Sequence, residues 1–159
     1  MTNELVNIAK NVRDVIFDNW NLEGRLEKEK IDFLSFDIKD KLIFNKPITI
    51  TITNPSGTNP RDGNKNSQKI RYMEDLIKID IWLKLEAELG EKERLVFEKM
   101  RTDMKSKIFD IIHDKQKNIT GIKFGNFSRW QNLDELNEPG RLFLHTIIWI
   151  EAEWYHTST

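Results

Sequence analysis

Two aspartates, Asp75 and Asp80, stand close together with Lys78 between them and Glu74 beside the first. Acids with a neighbouring lysine are the raw material of a metal-dependent nuclease, where carboxylates hold a divalent ion that activates water. The stretch that carries them, YMEDLIKIDIWLKLE, alternates like a strand. Residues an odd number apart on a strand point to opposite faces, so Asp75 and Asp80 do not converge. The histidines are His113, His145 and His156, and none has a partner at HExxH or HxH spacing. His113 falls late in a helical stretch, where it reads as a cation at the negative end of the dipole. His145 and Glu151 share strand parity but lie too far apart along the strand to converge, and both read as sheet neighbours. GTNPRDG has glycines but no helix directly after it to hold an anion. No GxGxxG, phosphate loop or GxSxG elbow occurs. The sequence thus offers no catalytic residue, no cofactor-binding residue and no metal ligand.

A second kind of chemistry is electrostatic. The connection over 54–71 holds Arg61, Lys65, Lys69 and Arg71 against one acid, Asp62, in a chain whose formal net charge is -1. Such a segment suits acidic protein or a phosphate backbone. It has no aromatic residue within 54–71 for base stacking, and overall near-neutrality argues against a chain built mainly to grip nucleic acid. A solvated hairpin tip, an assembly loop and a nucleic-acid contact are its three readings. Trp82, Trp149 and Trp154 form another candidate set. They serve either as a second layer of core or as a surface that another chain covers.

The elements that position these residues follow from periodicity. Leu5, Ile8, Val12, Val15, Ile16 and Trp20 recur at helical spacing and predict an amphipathic helix over 3–20. IDFLSFDI predicts a short strand with Leu34, Phe36 and Ile38 on one side. Pro47 opens a clear strand, with Ile48, Ile50 and Ile52 facing one way and Thr49, Thr51 and Thr53 the other. Ile77, Ile79, Ile81 and Leu83 share a face of the next strand. A long helix over 91–117 carries a stripe of Val96, Phe97, Met100, Met104, Ile108, Ile111 and Ile112. Two strands close the chain, about 121–130 and 141–154, joined by NLDELNEPG. The last has bulky residues on both faces, Leu144, Ile148 and Ile150 against Phe143, Ile147 and Trp149, the pattern of a central strand. The order predicts an α+β fold: an antiparallel sheet of about four strands packed against an N-terminal helix and a long central helix.

The 159 residues suit a single domain, 1–159, with a long polar loop at 54–71. The absence of cysteine excludes disulfides, thiolate metal sites and cysteine nucleophiles. MTNELVNIAKNVRD lacks a signal-peptide core, and no run approaches the about 18 apolar residues of a membrane span, so the expectation is a cytoplasmic protein without a membrane partner.

The layout of these stretches resembles that of a known family. An N-terminal helix, a strand, a long polar loop, the strand EDLIKIDIWLK, the helix EKERLVFEKMRTDMKSKIFDIIHD and the closing strand RLFLHTIIWIEAEWY look like the tail-terminator and tail-completion proteins of long-tailed phages and related archaeal viruses. The resemblance implies a structural virion protein and no enzyme. It implies a homo-oligomeric ring, usually a hexamer, that caps the tail tube and joins it to the head side, with DNA passing through. The partners it implies are the tail tube protein and head-side connector proteins, the place is the virion tail or neck, and no cofactor is needed. The loop with Arg61, Lys65, Lys69 and Arg71 then projects toward a neighbouring ring and becomes ordered on assembly. The alternatives from the residues themselves are a nucleic-acid-binding accessory protein using the basic loop and a small metal-dependent nuclease using Glu74, Asp75 or Asp80.

Overall fold

In the computed structural model the described residues are 8–35, 45–61, 70–85, 90–115, 122–138 and 141–157. The chain runs α1 (Ile8–Asp18), two short 3₁₀ turns (Gly24–Leu26 and Lys28–Lys30), β1 (Ile31–Leu34), β2 (Ile48–Arg61), β3 (Ile70–Leu85), α2 (Glu91–Lys115), β4 (Ile122–Asn132), β5 (Glu135–Glu138) and β6 (Arg141–Thr157). The strands form one sheet in the order β1-β2-β3-β6-β4, with β5 also on β6. This is the expected α+β architecture, with a sheet wider than four strands. All pairings are antiparallel except β1 on β2, which is parallel.

Alternation decides which face is which. Ile48, Ile50 and Ile52 of β2 stand opposite Leu83, Ile81 and Ile79 of β3, and Ile79 and Ile77 in turn face Ile148 and Ile150 of β6. These side chains meet the buried stripes of both helices: Ile8, Val12 and Ile16 from α1, and Met104, Ile108, Ile111 and Ile112 from α2. Removing so many branched side chains from water supplies the main drive for folding, at about 1.5–3 kcal/mol for each fully buried one. The stripe expected on α2 holds from Met100 onward. At its first turns Phe97 is only half-buried and Val96 is 48% exposed, because the helix begins beyond the cover of the sheet. Leu5, like residues 116–117, lies outside the described residues.

The segment between α1 and β2 corrects one expectation. The faces of β1 are the reverse of those expected, for Ile31 and Phe33 are buried and Leu34 is not. Parallel register sets this, since Ile31 and Phe33 fall beside Ile48 and Ile50 and so join the helix-covered face. Phe17 and Trp20 both meet the Phe33 ring edge-on at 5.4 Å. The Trp20 Nε1–H donates to the Leu26 carbonyl at 2.8 Å, and Arg13 Nε donates to the Phe33 carbonyl at 3.0 Å. Gly24 makes the turn between them with φ of 69°, a left-handed conformation that glycine adopts without steric cost. Phe36 and Ile38 lie outside the described residues.

β6 is central, as its two apolar faces implied: β3 lies on one side and β4 with β5 on the other. Its second face is also buried, with Phe143, His145 and Ile147 all at 5% exposure or less. Ile79→Ala and Ile108→Ala, each at a fully buried position of the helix–sheet core, are each expected to cost roughly 2–5 kcal/mol. A urea midpoint shifted down accordingly is the check, and an unchanged midpoint would show that these faces carry little of the packing.

Candidate assembly surface

The polar connection 54–71 is not one open loop. β2 continues to Arg61 and β3 begins at Ile70, so most of the connection is strand, with Ser56 opposite Leu76, Thr58 opposite Glu74 and Arg61 opposite Tyr72. Two breaks in register, between Thr53 and Ser56 and between Thr58 and Arg61, contain Pro55 and Pro60. Proline has no N–H to give a ladder, and a bulge absorbs that deficit. β1 pairs only with Ile48–Thr51, so along this stretch β2 is an edge among the described residues, where proline is tolerated best. Of the four expected contact residues, Arg61 and Arg71 sit on these arms, Arg71 paired with His156 of β6. Lys65 and Lys69 lie outside the described residues, as do the side chains of Arg61 and Arg71.

The expected interface tryptophans separate. Trp82 is 2% exposed, stacked on His145 at 3.5 Å with the rings 11° apart, and edge-on to Phe143. It is thus buried within the chain's own fold. Trp149 is half-buried, with Lys78 Nζ at 5.9 Å and the Arg129 guanidinium at 5.3 Å from its ring. Trp154 pairs with Met73 and Ile122 through the backbone, and its side chain is outside the described residues. Among the described side chains the exposed tryptophan is Trp130 at 50%, with Leu133 at 42% on the same edge. Both lie where the sequence reads as connection or strand end, and the only available signal was a bulky aromatic beside NLDEL.

On the sheet face away from the helices, β2, β3 and β6 place Thr49, Trp82 and His145 in one row, Thr51, Asp80 and Ile147 in the next, and Thr53, Lys78 and Trp149 in the third. His145 Nε2–H donates diagonally to Asp80 Oδ1 at 2.6 Å, with the two side chains 3% and 2% exposed. Lys78 Nζ lies 3.5 Å from the other oxygen, Oδ2. The hydroxyls of Thr49 and Thr51 are buried there without a hydrogen-bond partner. Asp75 sits in the row of Gly57 and Ala152 on the opposite face, where Asn54 Nδ2 donates to it at 3.2 Å. The two aspartates are therefore separated by the sheet and share no ion. No group of acids and histidines among the described residues has the grouping of a metal site. His113 is exposed near the end of α2, and Glu151 is exposed on β6, away from His145.

A third cluster went unread in the sequence. Between β4 and β5 the ladder breaks, and Asp134 bridges the gap: its Oδ1 accepts from the His145 backbone N–H at 2.9 Å and from Arg101 Nη1 at 2.5 Å. Arg101, from α2, is 4% exposed and also donates to both oxygens of Glu98 at 2.7 Å. Burial works against its charge, but Asp134 and Glu98 outweigh that and hold its pKa above the ordinary arginine value. One arginine thus pins the long helix to the point where the edge strand changes direction.

No protein-family model matches the chain, and no curated protein matches it. A solved structure, the sheath/tube terminator of an extracellular contractile injection system, PVC, in the extended state, aligns with a TM-score of 0.47 at 12% sequence identity. The alignment covers 95% of this chain and 57% of that one, so the chain spans little more than half the length of that structure.

Two substitutions on the polar face separate burial from bonding. Asp80→Ala leaves the His145 imidazole without its partner in a buried site and is expected to destabilise by about 1–3 kcal/mol. Thr51→Val removes a hydroxyl that bonds to nothing and is expected to be neutral or slightly stabilising. Chemical denaturation of both variants checks the contrast, and equal losses would contradict it.

Proposed function

We propose that the chain is a structural protein of a phage-like tail, forming a ring that ends the tail tube and joins it to the head side. What supports this reading is the order of elements: an N-terminal helix, a strand hairpin with a long polar tip, a long helix laid on the sheet, and a closing antiparallel pair. That is the layout on which the resemblance to tail-terminator and tail-completion proteins rests. The observation that carries it is the β2–β3 hairpin. Its arms stay backbone-paired out to Arg61 and Tyr72, which stiffens them as far as the described strands run. In a ring, such an arm reaches a neighbouring subunit or ring, and the virion tail or neck is where the chain would reside.

The role is architectural rather than catalytic, and what weighs against the nuclease reading is that Asp75 and Asp80 lie on opposite faces. In the assembly the partners are copies of the chain itself, six to a ring, the tube protein and the head-side connector, with DNA passing through the opening. Arg61, Lys65, Lys69 and Arg71 then meet acidic surface on the adjoining ring.

Changing those four residues to serine tests the reading. Native mass spectrometry and electron microscopy of the purified protein should find closed rings for both forms. Docking of the variant onto tube ends should weaken, since exposed ion pairs contribute about 0–1 kcal/mol each. A protein using this loop to grip DNA would instead lose affinity by about 0.9 log units per log unit of salt for each phosphate neutralised. A strictly monomeric wild type, or normal docking with DNA binding abolished, would overturn the proposal in favour of an accessory DNA-binding protein.

A further inference from the structure

The sheet has a second edge, β4, whose last turn of chain is exposed on both sides. Residues 129–133 are all exposed, five in succession, although Arg129–Asn132 pair regularly with β6 through Trp149, Ile148, Ile147 and Thr146. The two register breaks that deform β4 lie earlier, between Phe124 and Arg129, so the stretch beyond them is regular strand. An edge of this kind offers a row of backbone donors and acceptors that a further strand can complete. Natural edges are normally blunted by bulges or covered, and among the described residues this part is neither.

The side chains around it specify what would pair there. Trp130 stands on the helix side of the strand, with Lys105 of α2 over its ring at 3.4 Å. Arg129 stands on the other side, over Trp149. No carboxylate among the described residues lies within ion-pair distance of Lys105 or Arg129, while the nearby acids Glu98 and Asp134 are both taken by Arg101. Burial, and then the Arg101 charge, lower the Lys105 pKa below the ordinary lysine value, the mark of a cation short of a counter-charge. Trp130 and Leu133, 50% and 42% exposed, give apolar purchase on either side of the same strand.

We propose that the β4 edge at Arg129–Leu133 is a docking site for an extended segment of a partner protein, added as a further strand, with acidic residues beside Lys105 and Arg129 and apolar residues on Trp130 and Leu133. This is strand addition, in which backbone bonds give affinity and alternate side chains give choice. It does not depend on the ring proposal, since it uses the opposite edge of the sheet from the basic hairpin.

Fluorescent peptides test it on the full chain. Val-Val-Glu-Glu-Val-Val-Glu-Glu-Val-Val places both residue types on both faces of an extended strand. Its lysine counterpart reverses the charge, and a version with proline at the centre blocks backbone pairing. Anisotropy should report binding of the acidic peptide only, with the proline version weaker by at least about tenfold. Trp130→Ala should weaken binding by at least about tenfold as well. Lys105→Glu should shift preference toward the lysine peptide. Both positions are at least partly exposed, and circular dichroism checks that the variants stay folded. Absence of binding, equal binding of the two charge types, or affinity untouched by Trp130→Ala and by proline would overturn the proposal. Sedimentation showing that the edge pairs two copies of this chain, lost in Trp130→Ala, would assign it to self-association and overturn it too.

Discussion

The pairing of β3 with β6 is the constraint on which the fold depends. It runs without a register break from Ile70 opposite Thr157 to Leu85 opposite Leu142. Every other element is placed by it. β2 extends the sheet on one side and β4 on the other, α1 and α2 cover one face, and the polar cluster of Thr51, Asp80 and His145 fills the other. The strands it joins are far apart in sequence, with all of α2 and β4 between them. Closing so long a loop costs conformational entropy before any contact repays it. The repayment is concentrated in the isoleucines of Ile77–Ile81 and Ile148–Ile150, all fully buried.

α2 makes that closure geometrically possible. At about 1.5 Å per residue it is long enough to carry the chain across the sheet and back to its far edge. Its apolar stripe from Met100 to Ile112 seats it, but apolar contact alone leaves a helix free to slide along its groove. Arg101 removes that freedom, because its fork must meet Asp134 and Glu98 together. A bidentate arginine is a directional restraint in a way that a leucine at the same position is not.

Period-two and helical patterns told nearly all of this architecture in advance. The faces of Ile48–Ile52 and Ile77–Leu83, the central place of β6 and the helices with their stripes were legible because burial of one or both faces imposes alternation on the residues themselves. The failures have physical reasons. β1 was assigned the wrong face because its register comes from a parallel neighbour, which a short run of apolar residues does not encode. The arms of the basic hairpin resemble loop in the sequence because Pro55 and Pro60 are loop signals unless a bulge and a free edge receive them. Arg101 was invisible because a charged residue amid a wet helical face looks like any other until its partners are known. Trp130 was passed over for Trp82, since tryptophans announce themselves equally whether they face the solvent or lie stacked on a histidine.

The polar face has a consequence for how the chain finds its native arrangement. Slide β6 along β3 by two residues in either direction and the apolar alternation largely survives, with Ile79 and Ile81 still meeting branched side chains of β6. Hydrophobicity is therefore degenerate between the native alignment and its nearest misregistered competitors. The Trp82–His145–Asp80 trio is not. It needs a stack straight across the ladder and a hydrogen bond along the diagonal, and that combination exists in a single alignment. In one slip Asp80 comes to lie opposite Trp149 and His145 opposite Lys84. In the other the stack is lost. A buried polar pair that adds little net stability thus acts as a key that tells one alignment of a repetitive strand from its near copies.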